Sequence, residues 1–231
     1  MEIDIMKLKD REIKALLFDM DGTMFDTENL SVIAWQEVSK SLGFEVDPGF
    51  IVSCMGLTSK LIKEKYIKEY GDIVPYEVFR ERELKFMRDW TDKNGVPIKA
   101  GLVETLDFAR KNGLKRGVAT SSMKQRAMYS IEKSGLLPYF DVIITGDMCE
   151  KSKPEPDIYL LAADRIGADI KECAVFEDSH NGIISASRSG AYAILIPDVV
   201  PVDDEMKAAA DMTLGRLDDI IPYLGERPDA N

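Results

Sequence analysis

The sequence predicts an α/β protein built around a parallel β-sheet. Short apolar runs alternate with amphipathic helical segments in the second half of the chain. A similar apolar run near the N-terminus is separated from them by a long helical block. The loops between these segments are short, which favours parallel strands with helices on both faces of the sheet.

The first predicted strand is the apolar run at residues 15–18, which ends at the polar segment 19–23. It carries no charged residue, as expected for a buried parallel strand. From about residue 26 to residue 94, apolar residues recur at helical spacing, and glycines and prolines separate the helices. Strands and helices then alternate. The predicted helices are 102–112, 124–134, 158–166 and 181–189, and the predicted strands are 116–120, 142–145, 174–176 and 193–196.

This pattern predicts two domains. Residues 1–27 and 96–231 are expected to form the α/β core, and residues 28–95 are expected to form an inserted helical domain. An insert of roughly 70 residues is within the usual size range of a domain.

The composition limits the classes of function. Hydrophobic residues make up 45% of the chain and charged residues 31%, which is usual for a globular protein. The 30 basic and 41 acidic residues give a formal net charge of −11, which disfavours nucleic-acid binding because like charges repel. No apolar stretch approaches the ~20 residues of a membrane span, and the N-terminal residues lack the apolar region of a secretory signal. We therefore expect a cytoplasmic protein without nucleic-acid or membrane partners, as a monomer or weak dimer.

The cysteines predict no covalent framework. Cys54, Cys149 and Cys173 are odd in number and widely spaced. Such spacing favours neither disulfides nor a zinc site, and small buried thiols are the expected role.

Polar side chains follow the predicted strands at the points where these strands end. In an open parallel sheet, ligands bind beyond the carboxyl ends of the strands, so these side chains are expected to meet in one site. They are Asp19 and Asp21, Ser121, Asp147, and Glu177 and Asp178.

Asp19 and Asp21 form the most informative pair. Side chains two positions apart in an extended segment point the same way, so the two carboxylates repel unless a cation neutralises them or one is protonated. Oxygen ligands of this kind suit Mg²⁺. Taken alone, the segment Asp21-Gly22 is equally compatible with an ordinary turn.

The other strand ends favour a site for phosphoryl transfer. Glu177 and Asp178 add carboxylate oxygens, Ser121 adds a hydroxyl, and Lys153 adds a cation beside a proline-containing turn. Each has a structural alternative, since Ser121 or Asp178 can cap a helix and Lys153 can lie in solvent. Together they supply a nucleophile, an acid/base, a hydroxyl donor, a cation and a metal cradle, as phosphoryl transfer requires.

Four motifs carry a resemblance to a known family. They are Phe18-Asp19-Met20-Asp21-Gly22-Thr23, Ala119-Thr120-Ser121-Ser122, Lys153-Pro154-Glu155-Pro156-Asp157 and Phe176-Glu177-Asp178-Ser179. With these motifs in this order, the sequence resembles the haloacid dehalogenase superfamily. It is most similar to the branch of small phosphatases related to β-phosphoglucomutase and phosphoglycolate phosphatase. The resemblance covers residues 18–179 and implies a Rossmann-like core with an inserted helical cap domain.

The resemblance implies a magnesium-dependent phosphatase for a small phosphorylated metabolite. Asp19 is expected to attack phosphorus and form an aspartyl-phosphate. Asp21 is expected to protonate the leaving group and then to deprotonate the hydrolytic water. Mg²⁺ is expected on the Asp19 carboxylate, the Asp21 backbone carbonyl and Asp178, with assistance from Glu177.

The resemblance also assigns the groups that bind the phosphoryl oxygens. Ser121 and Lys153 are expected to contact them through their side chains, and Gly22 and Thr23 through backbone N–H groups. His180, the only histidine, receives no role.

The helical insert matches the cap domain of this family in position and length. A loop around a glycine is expected to contact the substrate, and Gly56 and Thr58 occupy that place here. A turn between two helices is an equally good interpretation of Gly56.

Two sequence differences favour hydrolysis over mutase activity. The similar sugar-phosphate mutases carry an arginine shortly after the cap glycine, where this chain has Thr58-Ser59-Lys60. They also carry a histidine shortly after the first motif, and residues 27–31 contain none. A mutase of the β-phosphoglucomutase type remains the alternative within the family.

A phospho-acceptor signalling module is the alternative from another class. Such modules combine a parallel sheet, a phosphorylated aspartate, Mg²⁺, a hydroxyl residue and a lysine. They place their acidic pair and their acceptor aspartate on different strands and lack a long insert after the first strand. The spacing of Asp19 and Asp21 therefore favours the enzyme.

Overall fold

The computed structural model describes residues 7–8, 11–55, 57 and 59–225. These residues divide into two compact units. The core unit comprises the described residues up to Phe25 and from Ile98 onward, and the inserted unit comprises Asp26–Pro97. The inserted unit therefore extends two residues further at each end than the range 28–95 expected from the sequence.

The core unit contains a parallel β-sheet and a short antiparallel hairpin. Its described strands are β1 (Lys7–Leu8), β2 (Arg11–Glu12), β3 (Ala15–Phe18), β4 (Lys115–Thr120), β5 (Val142–Thr145), β6 (Cys173–Glu177), β7 (Tyr192–Leu195) and β8 (Met212–Thr213). β1 and β2 form the hairpin. The other strands lie in the order β5-β4-β3-β6-β7-β8, with parallel pairing throughout.

β3 is a short apolar strand that lies at the centre of the sheet, where its residues are fully buried. Phe18, its last residue, pairs with Val118 on β4 and with Phe176 on β6. The rings of Phe18 and Phe176 stack with their centroids 4.8 Å apart. The carboxyl ends of β3, β4 and β6 therefore share one edge of the sheet, where the polar residues that follow them come together.

The inserted unit consists of helices around an aromatic cluster. Its described helices are α1 (Thr27–Ser41), α2 (Pro48–Val52), α3 (Ser59–Tyr70) and α4 (Tyr76–Asn94). Trp35 contacts Phe79 and Tyr66, with ring centroids 4.8 Å and 6.1 Å away. The Trp35 indole N–H also donates to Glu83, which is fully buried and pairs with Arg80. This unit thus has a hydrophobic core of its own.

The helices of the core unit alternate with its strands. They are α5 (Leu102–Lys111), α6 (Lys124–Lys133), α7 (Asp157–Ile166), α8 (His180–Ser189), α9 (Asp204–Ala209) and α10 (Ile221–Leu224). Buried residues of α7 and α8 pack with β3, β6 and β7 in one apolar cluster. Because apolar side chains fill the space between these helices and the sheet, polar side chains can form a site only in the loops after the strands.

The predicted fold class is confirmed, because the core is an α/β unit with a parallel sheet. The predicted strands coincide with β3–β7 to within one residue at either end. Three strands, β1, β2 and β8, were not predicted, since a two-residue strand is too short to show a period. None of the described helices is long and apolar enough to cross a bilayer. Cys54, Cys149 and Cys173 are free thiols.

Candidate active site

A buried lysine joins two carboxylates at the carboxyl edge of the sheet. Lys153 Nζ lies 2.5 Å from Asp19 Oδ1 and 2.6 Å from Glu177 Oε1. It also donates to the carbonyl oxygen of Ala119 at 3.2 Å. Asp19 follows β3, Ala119 belongs to β4 and Glu177 ends β6, so Lys153 ties together three neighbouring strands.

Glu177 is fully buried and surrounded by donors. Its Oε1 accepts from Lys153 and from the Tyr159 hydroxyl, the latter at 2.7 Å. Its Oε2 accepts from the backbone N–H of Asp178 and from both the N–H and the hydroxyl of Ser179, at 3.0–3.1 Å. A Cβ added at Gly182, in the first turn of α8, would lie 1.9 Å from Glu177 Oε1. Close packing and hydrogen bonds therefore fix this carboxylate.

Burial and charge set the protonation of this cluster. Burial raises the pKa of Asp19 to about 7, although the positive charge of Lys153 opposes the shift. Burial opposes the charged form of Lys153, but Asp19 and Glu177 outweigh it and raise the lysine pKa. The pKa of Glu177 is lowered: burial opposes ionisation, and Lys153 and the other donors overcome that effect. Burial raises the pKa of Tyr159 well above its usual range, so its hydroxyl keeps the proton that it donates.

The Asp178 carboxylate lies against Gly22 and Thr23 of the first motif. Thr23 Oγ1 donates to Asp178 Oδ1 at 2.7 Å. Gly22 has φ of +88°, and a Cβ at this position would lie 2.2 Å from Asp178 Oδ2. Only glycine combines this left-handed backbone with so close a carboxylate. The Gly22 N–H donates to the carbonyl oxygen of Phe25 at 2.9 Å, which closes the turn.

The acidic cluster fits a hard divalent cation. Asp19, Glu177 and Asp178 each offer a carboxylate oxygen, and these oxygens lie within 4.8 Å of one another. Lys153 brings one positive charge against three carboxylates, so the ionised cluster retains negative charge that a cation can offset. Carboxylate oxygens are preferred ligands of Mg²⁺. Asp19 and Asp178 are the better candidates to hold it, because both oxygens of Glu177 already accept hydrogen bonds.

Asp21, the second aspartate of the first motif, contacts one residue of the loop after β4 and one residue of α6. Asp21 Oδ2 accepts from the Ser122 hydroxyl at 2.7 Å, and Asp21 Oδ1 lies 2.9 Å from Arg126 Nη2. Neither contact was predicted from the sequence. Ser122 precedes α6 and Arg126 lies in its first turn, so no local spacing rule pairs either of them with Asp21.

The remaining strand-end residues divide between the site and the loops. Ser121 is exposed after β4, whereas its neighbour Thr120 is buried and accepts from the Ser122 N–H at 3.0 Å. Asp147 accepts from the Thr145 hydroxyl and the Lys124 N–H, which lowers its pKa and fixes the start of α6. Asp147 thus has a local structural function, and Ser121 stays the candidate phosphate-binding hydroxyl.

Two expected cap residues, Gly56 and Thr58, lie outside the described residues. His180 lies at the start of α8, with Nε2 3.2 Å from Glu205 Oε2 and 3.5 Å from Asp203 Oδ2.

Comparison with known proteins identifies the family. The sequence model of a family described as haloacid dehalogenase-like hydrolase matches residues 16–196. The chain belongs to this family. That match confirms the resemblance of the four motifs to the haloacid dehalogenase-like hydrolases. Similar proteins with known names then indicate the class of enzyme.

Two of these relatives are phosphatases. One is the phosphorylated carbohydrates phosphatase of Thermotoga maritima, 30% identical over 187 residues that cover 79% of this chain and 84% of the relative. Another is the fructose-1-phosphate phosphatase YqaB of Escherichia coli, 31% identical over 180 residues, covering 78% and 94%. The predicted enzyme class, a phosphoric monoester hydrolase, is confirmed by these relatives together with the family match.

A solved structure agrees with the fold of this haloacid dehalogenase-like hydrolase. The crystal structure of β-phosphoglucomutase from Clostridium difficile matches with a TM-score of 0.70 and 21% identity. The match covers 90% of this chain and 93% of that one. At this identity the likeness supports the fold alone.

Proposed function

We propose that this haloacid dehalogenase-like hydrolase is a Mg²⁺-dependent phosphatase that cleaves phosphomonoesters through an aspartyl-phosphate on Asp19. One observation supports this most strongly. Asp19, Lys153, Glu177 and Asp178 form a buried cluster at one sheet edge, which joins a carboxylate nucleophile to an ammonium and further carboxylates.

In the first step, a carboxylate oxygen of Asp19 attacks phosphorus while the bond from phosphorus to the leaving-group oxygen breaks. Asp21 gives its proton to that oxygen, so the product leaves as an alcohol. In the second step, water attacks phosphorus and gives a proton to Asp21, and the bond from phosphorus to Asp19 breaks. Inorganic phosphate leaves, and both aspartates return to their starting forms.

The chain's own donors orient the phosphoryl group. Lys153 lies beside Asp19 and supplies a positive charge to the phosphoryl oxygens as charge shifts onto them. We assign Ser121 as the hydroxyl donor and the Thr23 N–H as a backbone donor from the turn after β3. The Gly22 N–H, which the sequence led us to expect on the phosphoryl group, instead donates to the Phe25 carbonyl oxygen.

Mg²⁺ would be held by the Asp19 carboxylate, the Asp21 backbone carbonyl and Asp178, with Glu177 as an outer neighbour. Its charge would offset the repulsion between an anionic nucleophile and an anionic phosphate.

Asp21 has to change its contacts during this cycle. It is bound to Ser122 and Arg126 in the structure. To reach a leaving group it exchanges at least one of these partners for the substrate, and it carries a proton when the substrate binds.

We propose phosphorylated carbohydrates as the substrate class, because the two named relatives act on such compounds. The inserted unit is assigned as the cap that selects the leaving group, with Gly56 and Thr58 in its substrate loop.

The test is hydrolysis of p-nitrophenyl phosphate and a panel of sugar phosphates, with Mg²⁺ or with EDTA. The proposal expects phosphate release that depends on Mg²⁺ and is lost in Asp19→Asn. Conversion of β-glucose 1-phosphate to glucose 6-phosphate without phosphate release would favour the mutase instead. Stable phosphorylation without turnover would favour the signalling module.

A further inference from the structure

Tyr159 contacts both members of an ion pair in the site. It lies on α7 with no exposed surface, and its hydroxyl donates to Glu177 Oε1 at 2.7 Å. The same oxygen accepts from Lys153 Nζ at 2.6 Å. The Lys153 ammonium also lies over the Tyr159 ring, 4.9 Å from its centroid.

We propose that Tyr159 is a positioning residue for the reaction: its hydroxyl fixes Glu177, and Glu177 in turn sets the place of the Lys153 ammonium beside Asp19. This inference rests on the proposed phosphatase function. Tyr159 lies outside the four sequence motifs, and under this proposal it helps to position Lys153, the cation beside the nucleophile Asp19.

The hydrogen bonds of Glu177 show why Oε1 needs a second donor. Oε2 is held by the backbone after β6 and by the Ser179 hydroxyl. Oε1 accepts from the Tyr159 hydroxyl on α7 and from Lys153 Nζ in the segment that precedes α7. Without the Tyr159 hydroxyl, a buried carboxylate oxygen would rely on Lys153 for its compensation.

The expected consequence is a displaced ammonium. Lys153 is shared between Glu177 and Asp19, at 2.6 Å and 2.5 Å. If Glu177 loses the hydrogen bond from Tyr159, its negative charge is compensated less, so it attracts the Lys153 ammonium more strongly and draws it away from Asp19. A group that stabilises charge on the phosphoryl oxygens acts well only when it is already in place.

Packing alone does not explain the Tyr159 hydroxyl, because phenylalanine would fill the space of the ring equally well. A buried hydroxyl costs free energy unless it is hydrogen bonded, whereas a phenyl ring fills the same space without that cost. The bond to Glu177 is what the Tyr159 hydroxyl gains in this environment.

The test compares Tyr159→Phe with Tyr192→Phe. Tyr192 is equally buried in the core unit, and its ring lies near Arg11 on the N-terminal hairpin, 6.0 Å from the guanidinium carbon. With p-nitrophenyl phosphate and saturating Mg²⁺, Tyr159→Phe should lower kcat about tenfold, in line with the loss of a hydrogen bond to a charged group. Inhibition by orthovanadate should weaken by a similar factor. Tyr192→Phe should leave both unchanged. Tyr159→Phe should also have a lower Tm than wild type, because it removes a hydrogen bond to a buried carboxylate, but it should stay folded at the assay temperature.

A double-mutant cycle tests whether Tyr159 acts through Glu177. In the Glu177→Gln background, adding Tyr159→Phe should have little further effect on kcat, because coupled residues are not additive. Effects that multiply would overturn the inference. So would equal kcat and vanadate inhibition in Tyr159→Phe and Tyr192→Phe, or a lower Tm for Tyr159→Phe with unchanged kcat. An inactive wild-type enzyme across all substrates would instead reject the proposed function.

Discussion

The ammonium of Lys153 lies 2.5 Å from the carboxylate of Asp19, although 134 residues separate them in the chain. Both side chains are almost completely buried, so Asp19 depends on Lys153 for compensation of its charge, and Lys153 depends on Asp19 and Glu177. In the proposed mechanism, the lysine that stabilises Asp19 in the free protein also supplies a positive charge to the phosphoryl oxygens of the substrate. Predictions about stability and about catalysis both follow from it.

Replacing Asp19 by asparagine should change how stability depends on pH in EDTA. The pKa of Asp19 is about 7 in the folded protein and 3.8 when unperturbed. Between those values the folded state holds a proton that the unfolded state has lost, so stability falls as pH rises. The amide of the asparagine variant does not titrate in this range. In urea denaturation, the stability of Asp19→Asn relative to wild type should therefore increase from about pH 4 to pH 7 and stay constant above. A difference that is the same at every pH would contradict the buried, proton-binding carboxyl.

Asp21→Asn should slow hydrolysis of a sugar phosphate by roughly 100-fold or more, as expected for the loss of a general acid/base. The loss in the phosphorylation step should be smaller with p-nitrophenyl phosphate, because p-nitrophenolate departs without a proton. Rapid-quench measurements of product release separate that step from hydrolysis of the intermediate.

The control for this variant is Asp147→Asn. Asp147 is also a strand-end aspartate, but it accepts from the Lys124 N–H at the start of α6. This variant should retain turnover. Wild-type rates in Asp21→Asn would remove Asp21 from the acid/base role.

Gly22→Ala should lower activity by moving Asp178. Its Cβ would lie 2.2 Å from Asp178 Oδ2, and its φ of +88° is strained for alanine. Gly190→Ala is a matched control, because Gly190 has φ of +87° and no atom within 4 Å of an added Cβ. Both variants should lose some stability from backbone strain. Only Gly22→Ala should also weaken Mg²⁺ activation, measured as the Mg²⁺ concentration that gives half-maximal turnover. Equal Mg²⁺ activation in the two variants would argue against Asp178 as a metal ligand.

The sequence was sufficient to predict the central strands and the main residues that meet at their ends. β3 and β5 were predicted without error because buried parallel strands are short apolar runs bounded by polar residues. The convergence of Asp19 and Glu177 follows from the rule that ligands bind beyond the carboxyl ends of such strands. Lys153 was added to them by its motif and the resemblance to the family.

Other parts of the site depend on packing that local patterns do not reveal. Arg126 reaches Asp21 across 105 residues, and its position in the helical pattern is that of a solvated charge. Tyr159 occurs on the apolar face of α7, where a tyrosine usually indicates core packing. Its hydroxyl acquires a partner because α7 packs against β3, β4 and β5 and beside α8, which brings the hydroxyl within 2.7 Å of Glu177 at the end of β6.

The most direct measurement is the detection of a phosphoryl group on Asp19. Asp21→Asn is mixed with p-nitrophenyl phosphate and Mg²⁺, quenched in acid within one turnover, digested and examined by mass spectrometry. Our account predicts one added phosphoryl group on the peptide that contains Asp19, and none in the Asp19→Asn/Asp21→Asn double variant. Release of p-nitrophenol without that modification, or a phosphoryl group on another residue, would contradict it.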